Sequence, residues 1–575
     1  MRHLATYDAR DSTPTLITAG MIRTVDGSQP TASAMLIGGG QVLAVGTITD
    51  AEAVAADRGL NPVHVDFPQA TIVPGFIDPH AHPLMYGQLH TWIDVSPDAA
   101  TSIPEIIEIL RQESAKLPSG MPIRGYGYEQ RNLVERRHPT RRELDEVSRD
   151  REVYIMNASG HGGVVNTFTF EKFGVTRNTP NPEGGEFFRD SEGELTGELS
   201  DAACNILTGL DGVKIGHHGP NFHLGDEAAE HQRQLDIVQS EFLKGGVTAI
   251  GDAQVSKREF AAYLGMADRG GLQIRVSMYF LSHLLDAVLG LGLTGPFGNA
   301  FLSAAGIKLY ADGTLGGWTA YFPDGYLGDP CRTGQLYHSP EEYSELLRRA
   351  HDAGLQTATH AQSPIAIKMV VDAIETAMAE RPDTDARHRI EHCGLPDPAE
   401  VIRMAQLGIR PVNQTQHYYN WGEGVEQAIG TPGERFNPLG EFRDAGVPIT
   451  LSSDAPVAEP RPLEAIQAAV TRITRRGRKL GPDSLRISVE EALRAHTLEG
   501  AITLGRDNEL GSLAVGKRAD FTVLEADLLE VPGDEIATIS VLETWVDGVC
   551  RYRADDEIAV ARSGLPRSES TLSGE

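Results

Sequence analysis

Cysteine is scarce. The chain of 575 residues carries four, Cys204, Cys331, Cys393 and Cys550, far apart and with no C-x-x-C spacing. That excludes a disulfide scaffold or a structural zinc finger and fits a reducing compartment. Long apolar runs are missing too: no segment approaches the ~18 uninterrupted apolar residues of a membrane-spanning helix. The opening MRHLATYDARDSTPTL has no apolar stretch of the kind a secretory signal uses, so a soluble cytoplasmic protein is expected. Positive charge is also short. With 51 basic residues against 80 acidic ones the net charge is −29, which disfavours nucleic acid or an anionic membrane as partner.

What is present suffices for two or three domains with ample cores, at 40% hydrophobic residues. Residues 15–67 hold short apolar runs (TLITAG, SAMLIGGGQVLAVGT, PVHVDF) broken by Gly, Asp and Ser, and residues 510–554 repeat the pattern in LGSLAVGKRADFTVLEADL and ISVLETWVDGVCRYR. Half-sheets at opposite ends of a chain bury an apolar face only by pairing, so parts 1–67 and 508–555 are expected to form one discontinuous small β-sandwich. Between them, strand runs alternate with amphipathic segments. The strands are read in TIVPGFIDPHAHP (71–83), GVTAIGD (246–252), LQIRVSMYF (272–280), AGIKLYADG (305–313), LQTATHA (355–361), RHRIEHCG (387–394), GIRPVNQ (408–414) and VPITLSSDAP (447–456).

Eight such units predict an α/β fold, a closed (β/α)₈ barrel of the TIM type with catalytic groups at the C-terminal strand ends. The barrel is expected to open within 68–83 and to continue over 241–507. The interval 84–240 is far longer than a βα connection and is expected to be a cap on the catalytic face. Residues 556–575 are expected to be a flexible tail.

In an extended backbone residues i and i+2 share a face, so His80 and His82 can bring two imidazoles to one point, as a metal site requires. The other strand ends carry Lys308 and Asp312 on the fourth strand, His360 on the fifth, His392 on the sixth and Asp454 on the eighth. A lysine inside an apolar run is costly to bury unless neutralised or paired; an ion pair of Lys308 with Asp312 or Asp454 is one reading. His360 or His392 alone would be a hydrogen-bonded structural histidine. Together, on consecutive strands, they point to a pair of metal ligands.

VPGFIDPHAHP resembles the first-strand motif of the amidohydrolase superfamily, specifically amidohydrolase family 3, which includes the N-substituted formamide deformylases. The resemblance covers nearly the whole chain. It implies a metal-dependent hydrolase in which His80, His82, Lys308 and Asp454 hold one divalent metal and Lys308, His360 and His392 hold a second. Zn²⁺ suits this ligand set, with one or two ions per chain. Lys308, in KLYADG, would be carboxylated by CO₂ to a bridging carbamate, and Asp454, in LSSDAP, would bind metal and take a proton from bound water. The resemblance also implies a homodimer.

Within 84–240, GYGYEQRNL (125–133), PTRRELDEV (139–147), SGHGGVVNT (159–167) and GELTGEL (193–199) resemble signature segments of the same family. His161, flanked by Gly160, Gly162 and Gly163, sits where backbone can approach a ligand closely. Its neutral imidazole is read either as a donor to the oxyanion or as a loop histidine that caps a helix. Tyr128, Glu129 and Gln130 are candidate pocket residues, Glu129 equally a plain hydrogen-bonding residue of the cap. DGTLGGWTAYF places Gly317 and Trp318 where many family members have Ser-Arg, losing a cation and gaining an indole, which, with Trp318 facing the pocket, favours a flat or apolar substituent over an acidic one. Tyr418, Tyr419 and Trp421, in QTQHYYNWGEGVEQAIG (414–430), are read as a loop that lines the pocket or packs the lid.

The expected function is hydrolysis of a C–N amide-type bond by a metal-activated hydroxide, with Asp454 carrying the proton to the leaving amine and His161 steadying the oxyanion. N-acyl or N-formyl amines as substrates follow from the resemblance alone. Deamination, or opening of a cyclic amide or lactone, is an alternative on the same site. A catalytically silent barrel scaffold for protein contacts is an alternative of another class; such relatives lose ligands, and this chain retains the expected ones.

Overall fold

A computed structural model describes residues 13–130, 132–158, 160–182, 185–208, 228–383 and 385–555. The expected tail and residues 209–227 of the expected cap lie outside the described residues. Eight parallel strands pair side by side in chain order: Phe76–Ala81, Val247–Val255, Arg275–Leu281, Leu302–Tyr310, Gln356–Ala361, Arg389–His392, Arg410–Asn413 and Thr450–Leu451. Helices cover them outside, so both strand faces are buried, and this explains the continuous apolar runs in place of strict alternation. Each expected strand lies in this ring. The eighth is shorter than its sequence suggests, because the chain leaves extended geometry at Asp454 (φ 60°).

Covering helices start where the sequence tells them to. In SPEEYSELLRRAHD, Ser339 and Glu342 close a reciprocal capping box around Pro340–Asp352, which buries Tyr343, Leu347 and Ala350 on one face. Such a cap stabilises a helix by about 0.5–2 kcal/mol.

The two chain ends share one seven-stranded sheet in the order Val549–Arg553, Val541–Val546, Phe521–Leu524, Val63–Pro74, Thr15–Arg23, Thr31–Gly38 and Gln41–Gly46. Ile17, Ile22, Met35 and Ile72 from one end pack with Phe521, Val523 and Trp545 from the other. Thr71–Pro74 belongs to this sheet and Phe76–Ala81 to the barrel. The passage between them needs glycine, since a Cβ on Gly75 would lie 2.3 Å from Thr248 Oγ1. A buried clamp fixes the sheet to the barrel: Arg275 Nε and Nη2 donate to Asp520 at 2.6 and 2.8 Å, and Nη2 also reaches Asp547. Removing one partner of such a pair costs about 3–5 kcal/mol.

The interval between the first and second barrel strands builds its own six-stranded sheet, ordered Gly185–Arg189, Leu195–Asp201, Gly162–Val165, Val153–Asn157, Ile123–Tyr128 and Ile93–Asp94. It docks over the mouth through the Tyr126 hydroxyl, which donates to the Pro456 carbonyl at 2.9 Å just beyond strand eight. Among the described residues no helix is long and apolar enough to cross a membrane.

One buried histidine pair lies outside the mouth. Thr357 N–H donates to His388 Nδ1 at 3.1 Å, so His388 Nε2 carries the hydrogen and donates to His351 Nδ1 at 2.9 Å. Burial pushes His388 down from 6.5 to about 3. A histidine depressed in the fold contributes stability that is complete above pH 6.5 and drains as pH falls towards 3, by up to about 1.4 kcal/mol per pH unit. Denaturant unfolding measured from pH 7 to pH 4 is therefore expected to show a flatter stability loss for His388→Asn than for the natural chain; equal slopes would contradict this.

Candidate metal centre

The polar side chains at the C-terminal strand ends converge. Asp454 Oδ1 lies 3.2 Å from His80 Nε2 and 3.1 Å from His82 Nε2; Oδ2 lies 3.5 Å from His417 Nε2 and 3.9 Å from His392 Nδ1. Two sets of candidate ligand atoms result, each within 4.8 Å: His80, His82 and Asp454, and His392, His417 and Asp454. His360 stands beside them, its ring centroid 4.4 Å from that of His392. Asp454 and His392 both adopt positive φ, 60° and 67°, a conformation that costs a non-glycine residue about 1–3 kcal/mol and clusters at functional sites.

Several imidazoles commit one nitrogen to the protein and leave the other with its lone pair. His80 Nδ1 pairs with the Glu391 carboxylate. His360 Nε2 donates to the Gly313 carbonyl at 2.9 Å. His392 Nδ1 donates to Gln414 Oε1 at 2.8 Å, an assignment fixed because Gln414 Nε2 donates to Ser452 Oγ at 2.8 Å. This is how outer partners orient metal-binding histidines. Burial holds four of the rings neutral: His82 and His417 are pushed down to about 4, and His360 and His392 well below their ordinary value. For Asp454, burial alone would raise the carboxyl, but His80, His82 and His392 outweigh it and hold it ionised.

The residues fit a metal. His80 Nε2, His417 Nε2 and Asp454 Oδ1 are buried and lack a hydrogen-bond partner of acceptable geometry. Neutral nitrogen donors around an ionised carboxylate are the form that binds a divalent cation, and burying them unpaired costs about 1–3 kcal/mol each. Lys308 is 1% exposed, with its Nζ 4.7 Å over the Tyr310 ring. The ion pair with Asp312 is not formed, because that carboxylate is taken by the backbone N–H groups of Tyr321, Gln362 and Ser363. Burial pushes the Lys308 amine down to about 8.

Three residues escaped the sequence reading. Glu391, buried with Arg389, orients His80; Gln414 orients His392; and His417 joins the cluster from the helix Thr415–Ile429 after strand seven. The same helix corrects the aromatic reading. His417 and Trp421 are four residues apart on one face, with ring centroids 4.5 Å apart. Tyr418 points elsewhere: it is fully buried, donates to the Ala468 carbonyl at 2.6 Å and carries the Arg472 guanidinium over its ring. Tyr419 is half-buried against the same core cluster.

A cavity of about 380 Å³ lies between cap and barrel, lined by Gln130, Arg136, His138, Glu198, Trp318 and Arg332 among others; none of the clustered histidines lines it, so it is separate from the histidine cluster. Tyr128 is buried beneath it with its hydroxyl against His138 Nδ1 at 2.7 Å, and Glu129 is not among the lining residues. The cation lost at positions 317 and 318 is regained in space: Arg332 donates to the Gly317 carbonyl at 2.8 Å and lies 5.8 Å over the Trp318 ring. The expected preference against acidic substituents therefore lacks its electrostatic basis. His161 lies with its ring 6.2 Å from His360. Its neighbouring glycines serve the sheet: a Cβ on Gly162 or Gly163 would strike the carbonyl of Leu199 or Ile155 at 2.3 or 2.2 Å.

A barrel with such donors at the C-terminal mouth of its strands is the arrangement of the metal-dependent hydrolases. The chain belongs to the amidohydrolase family, whose sequence model matches residues 64–552. It is 31% identical over 546 residues to the N-substituted formamide deformylase of Arthrobacter pascens, covering 92% of this chain and 97% of that one. It is 29% identical over 551 residues to Protein LONG AFTER FAR-RED 3 of Arabidopsis thaliana, covering 93% and 91%. An uncharacterized metal-dependent hydrolase from Pyrococcus horikoshii superposes with a TM-score of 0.73 at 24% identity, over 91% of this chain and 99% of that one. The protein is accordingly a metal-dependent hydrolase of carbon–nitrogen bonds other than peptide bonds.

Glu391→Gln is expected to weaken metal binding about 10- to 100-fold, read by competition with a chelating dye. It should also lower the unfolding midpoint, since Arg389 loses its buried counter-ion. Undiminished metal affinity would remove Glu391 from the centre.

Proposed function

We propose that the protein hydrolyses small N-formyl or N-acyl amines to a carboxylic acid and an amine. The observation that carries this is the Asp454 carboxylate with Nε2 of His80, His82 and His417 at 3.1 to 3.5 Å and the ring of His392 beside it, a buried oxygen base among imidazoles. The acyl class rests on likeness to the formamide deformylase. In this reading His80, His82 and Asp454 hold a Zn²⁺ ion, and His392 and His417, with Lys308 and His360 beside them, supply donors for a second. Lys308 is read as carrying a CO₂-derived carbamate, since burial at about 8 leaves part of the amine neutral and nucleophilic near neutral pH.

When bound, the divalent ion supplies a Lewis acid that lowers the proton affinity of water and polarises a carbonyl. The chain's own residues do the rest. Asp454 accepts the proton of the attacking water, Glu391 and Gln414 keep the imidazoles of His80 and His392 from turning, and the cap shields the mouth from bulk solvent.

Asp454→Asn is expected to lower kcat on N-formyl and N-acyl amines by about 10²- to 10⁴-fold, with the unfolding midpoint kept. An unchanged rate would exclude Asp454 as the base. A panel that adds aminopyrimidines, cyclic amides and lactones, with acid and ammonia followed separately, should give acid plus amine from the acyl amines; ammonia from the aminopyrimidines alone would replace the proposal with deamination.

A further inference from the structure

Charged side chains also converge on the cavity between cap and barrel. Among the described residues its wall carries three arginines, Arg136, Arg137 and Arg332, against one carboxylate, Glu198. Arg137 is engaged elsewhere, since its Nη1 and Nη2 donate to the two oxygens of Glu143 at 2.9 and 2.6 Å. The other two are not. The Arg136 side chain has no hydrogen-bond or ion-pair partner among the described residues. Arg332 uses one edge of its guanidinium, with Nε donating to the Trp318 carbonyl at 3.2 Å and Nη2 to the Gly317 carbonyl at 2.8 Å. Nη1 and the second hydrogen of Nη2 form the end-on edge, a fork that takes both oxygens of a carboxylate. Tied to two backbone carbonyls and lying 5.8 Å over the Trp318 ring, that fork is set before a ligand arrives.

Gln130 adds a third donor. Asn157 Nδ2 donates to the Tyr128 carbonyl at 3.0 Å and to Gln130 Oε1 at 2.6 Å. The carbonyl contact identifies the Asn157 atom as nitrogen, so the Gln130 atom that meets it is oxygen and the Gln130 NH₂ is the end left for a ligand. Glu198 opposes an anion only weakly. Its Oε1 lies 3.5 Å from His138 Nε2, and burial pushes the carboxyl up to about 7, so near neutral pH much of it is uncharged. A cationic or neutral occupant would leave both guanidinium groups unmatched. A small organic acid suits their charge, the planar fork and a volume of about 380 Å³.

The loop after the fourth barrel strand ties this cavity to the histidine cluster. The Gly313 carbonyl accepts from His360 Nε2 at 2.9 Å, and Trp318 stands five residues further on, at most about 18 Å along the chain. The loop closes on itself, since Thr314 N–H donates to Thr319 Oγ1 at 2.9 Å and Thr319 N–H to the Thr314 carbonyl at 3.0 Å. One molecule with a flexible arm spans that interval. We propose that the cavity binds the carboxylate of the substrate through Arg332, Arg136 and Gln130, so that the amides hydrolysed are N-acyl amines bearing a remote acid group. The substrate assignment rests on reading the protein as a hydrolase of N-acyl amines; the carboxylate site stands on the cavity alone.

Two substrate series locate the acid group. N-formyl derivatives of glycine, γ-aminobutyrate and ε-aminocaproate carry it on the amine; monobenzylamides of succinate, adipate and suberate carry it on the acyl side. Each acid is compared with its neutral carboxamide. In one series the ratio of kcat/KM, acid over carboxamide, is expected to reach about 10 or more, to peak at one arm length, and to fall about 10-fold or more in Arg332→Gln. Arg332→Lys, which keeps the charge and loses the fork, should recover part of the ratio. Arg136→Gln alters a side chain without a described partner and should lower the ratio with the unfolding midpoint kept. Calorimetric titration of the metal-loaded chain with phenylbutyrate and phenylbutyramide reads the site without turnover: the acid should bind more tightly, and its Kd alone should rise about 10- to 100-fold in Arg332→Gln. Acid binding undiminished in both Arg332→Gln and Arg136→Gln would overturn the site. Arginine-dependent binding with no acid preference in either series would overturn its assignment to the substrate. No turnover of any amide, acid or neutral, would remove the acyl-amine reading, and the titration would then decide the carboxylate site by itself.

Discussion

The mouth of the barrel exists because its last strand is locked to its first. Asp454 N–H donates to the His80 carbonyl at 2.9 Å, His82 N–H to the Ala455 carbonyl at 2.8 Å, and Ser453 N–H to Asp78 Oδ1 at 3.0 Å. With a regular eighth strand of only two residues, this lock does what a longer ladder does elsewhere in the ring. It joins residues 375 positions apart and sets the strand-one histidines against the strand-eight carboxylate. The left-handed turn at Asp454 is held by the same bonds, which is why its strain persists.

Burial then prepares the chemistry. His82 and His417 are kept neutral by desolvation, Asp454 is kept ionised by the histidines around it, and Glu391 by Arg389 beside it. Each effect alone would be destabilising. Together they produce bare nitrogen lone pairs around a carboxylate, a state that gains from a cation what it loses by leaving water. The cap completes the enclosure, and through Tyr126 it rests on the segment that carries Asp454.

Much of this was legible in the sequence. Strand runs punctuated by Gly and Asp gave the barrel, and period-two logic placed His80 with His82. The chain ends paired because neither half-sheet could bury its apolar face alone. What escaped was hidden by the wrong period. The aromatic cluster of residues 414–430 reads as a loop, whereas the segment is a helix whose spacing puts His417 and Trp421 on one face and turns Tyr418 away to Ala468. Glu391 is masked in the sequence by His392 directly after it in RIEHCG, yet alternation along that strand sends its side chain to His80. Arg332 reaches Trp318 through a loop contact that no local pattern announces.

The convergence of His80, His82 and Asp454 on one cation is tested most directly by anomalous X-ray diffraction at the zinc edge from crystals of the zinc-loaded chain. The account predicts an anomalous peak at the C-terminal mouth, about 2.0–2.2 Å from imidazole nitrogens of His80 and His82 and a carboxylate oxygen of Asp454. Zinc bound only elsewhere, or a mouth with no anomalous peak in a fully loaded protein, would contradict it.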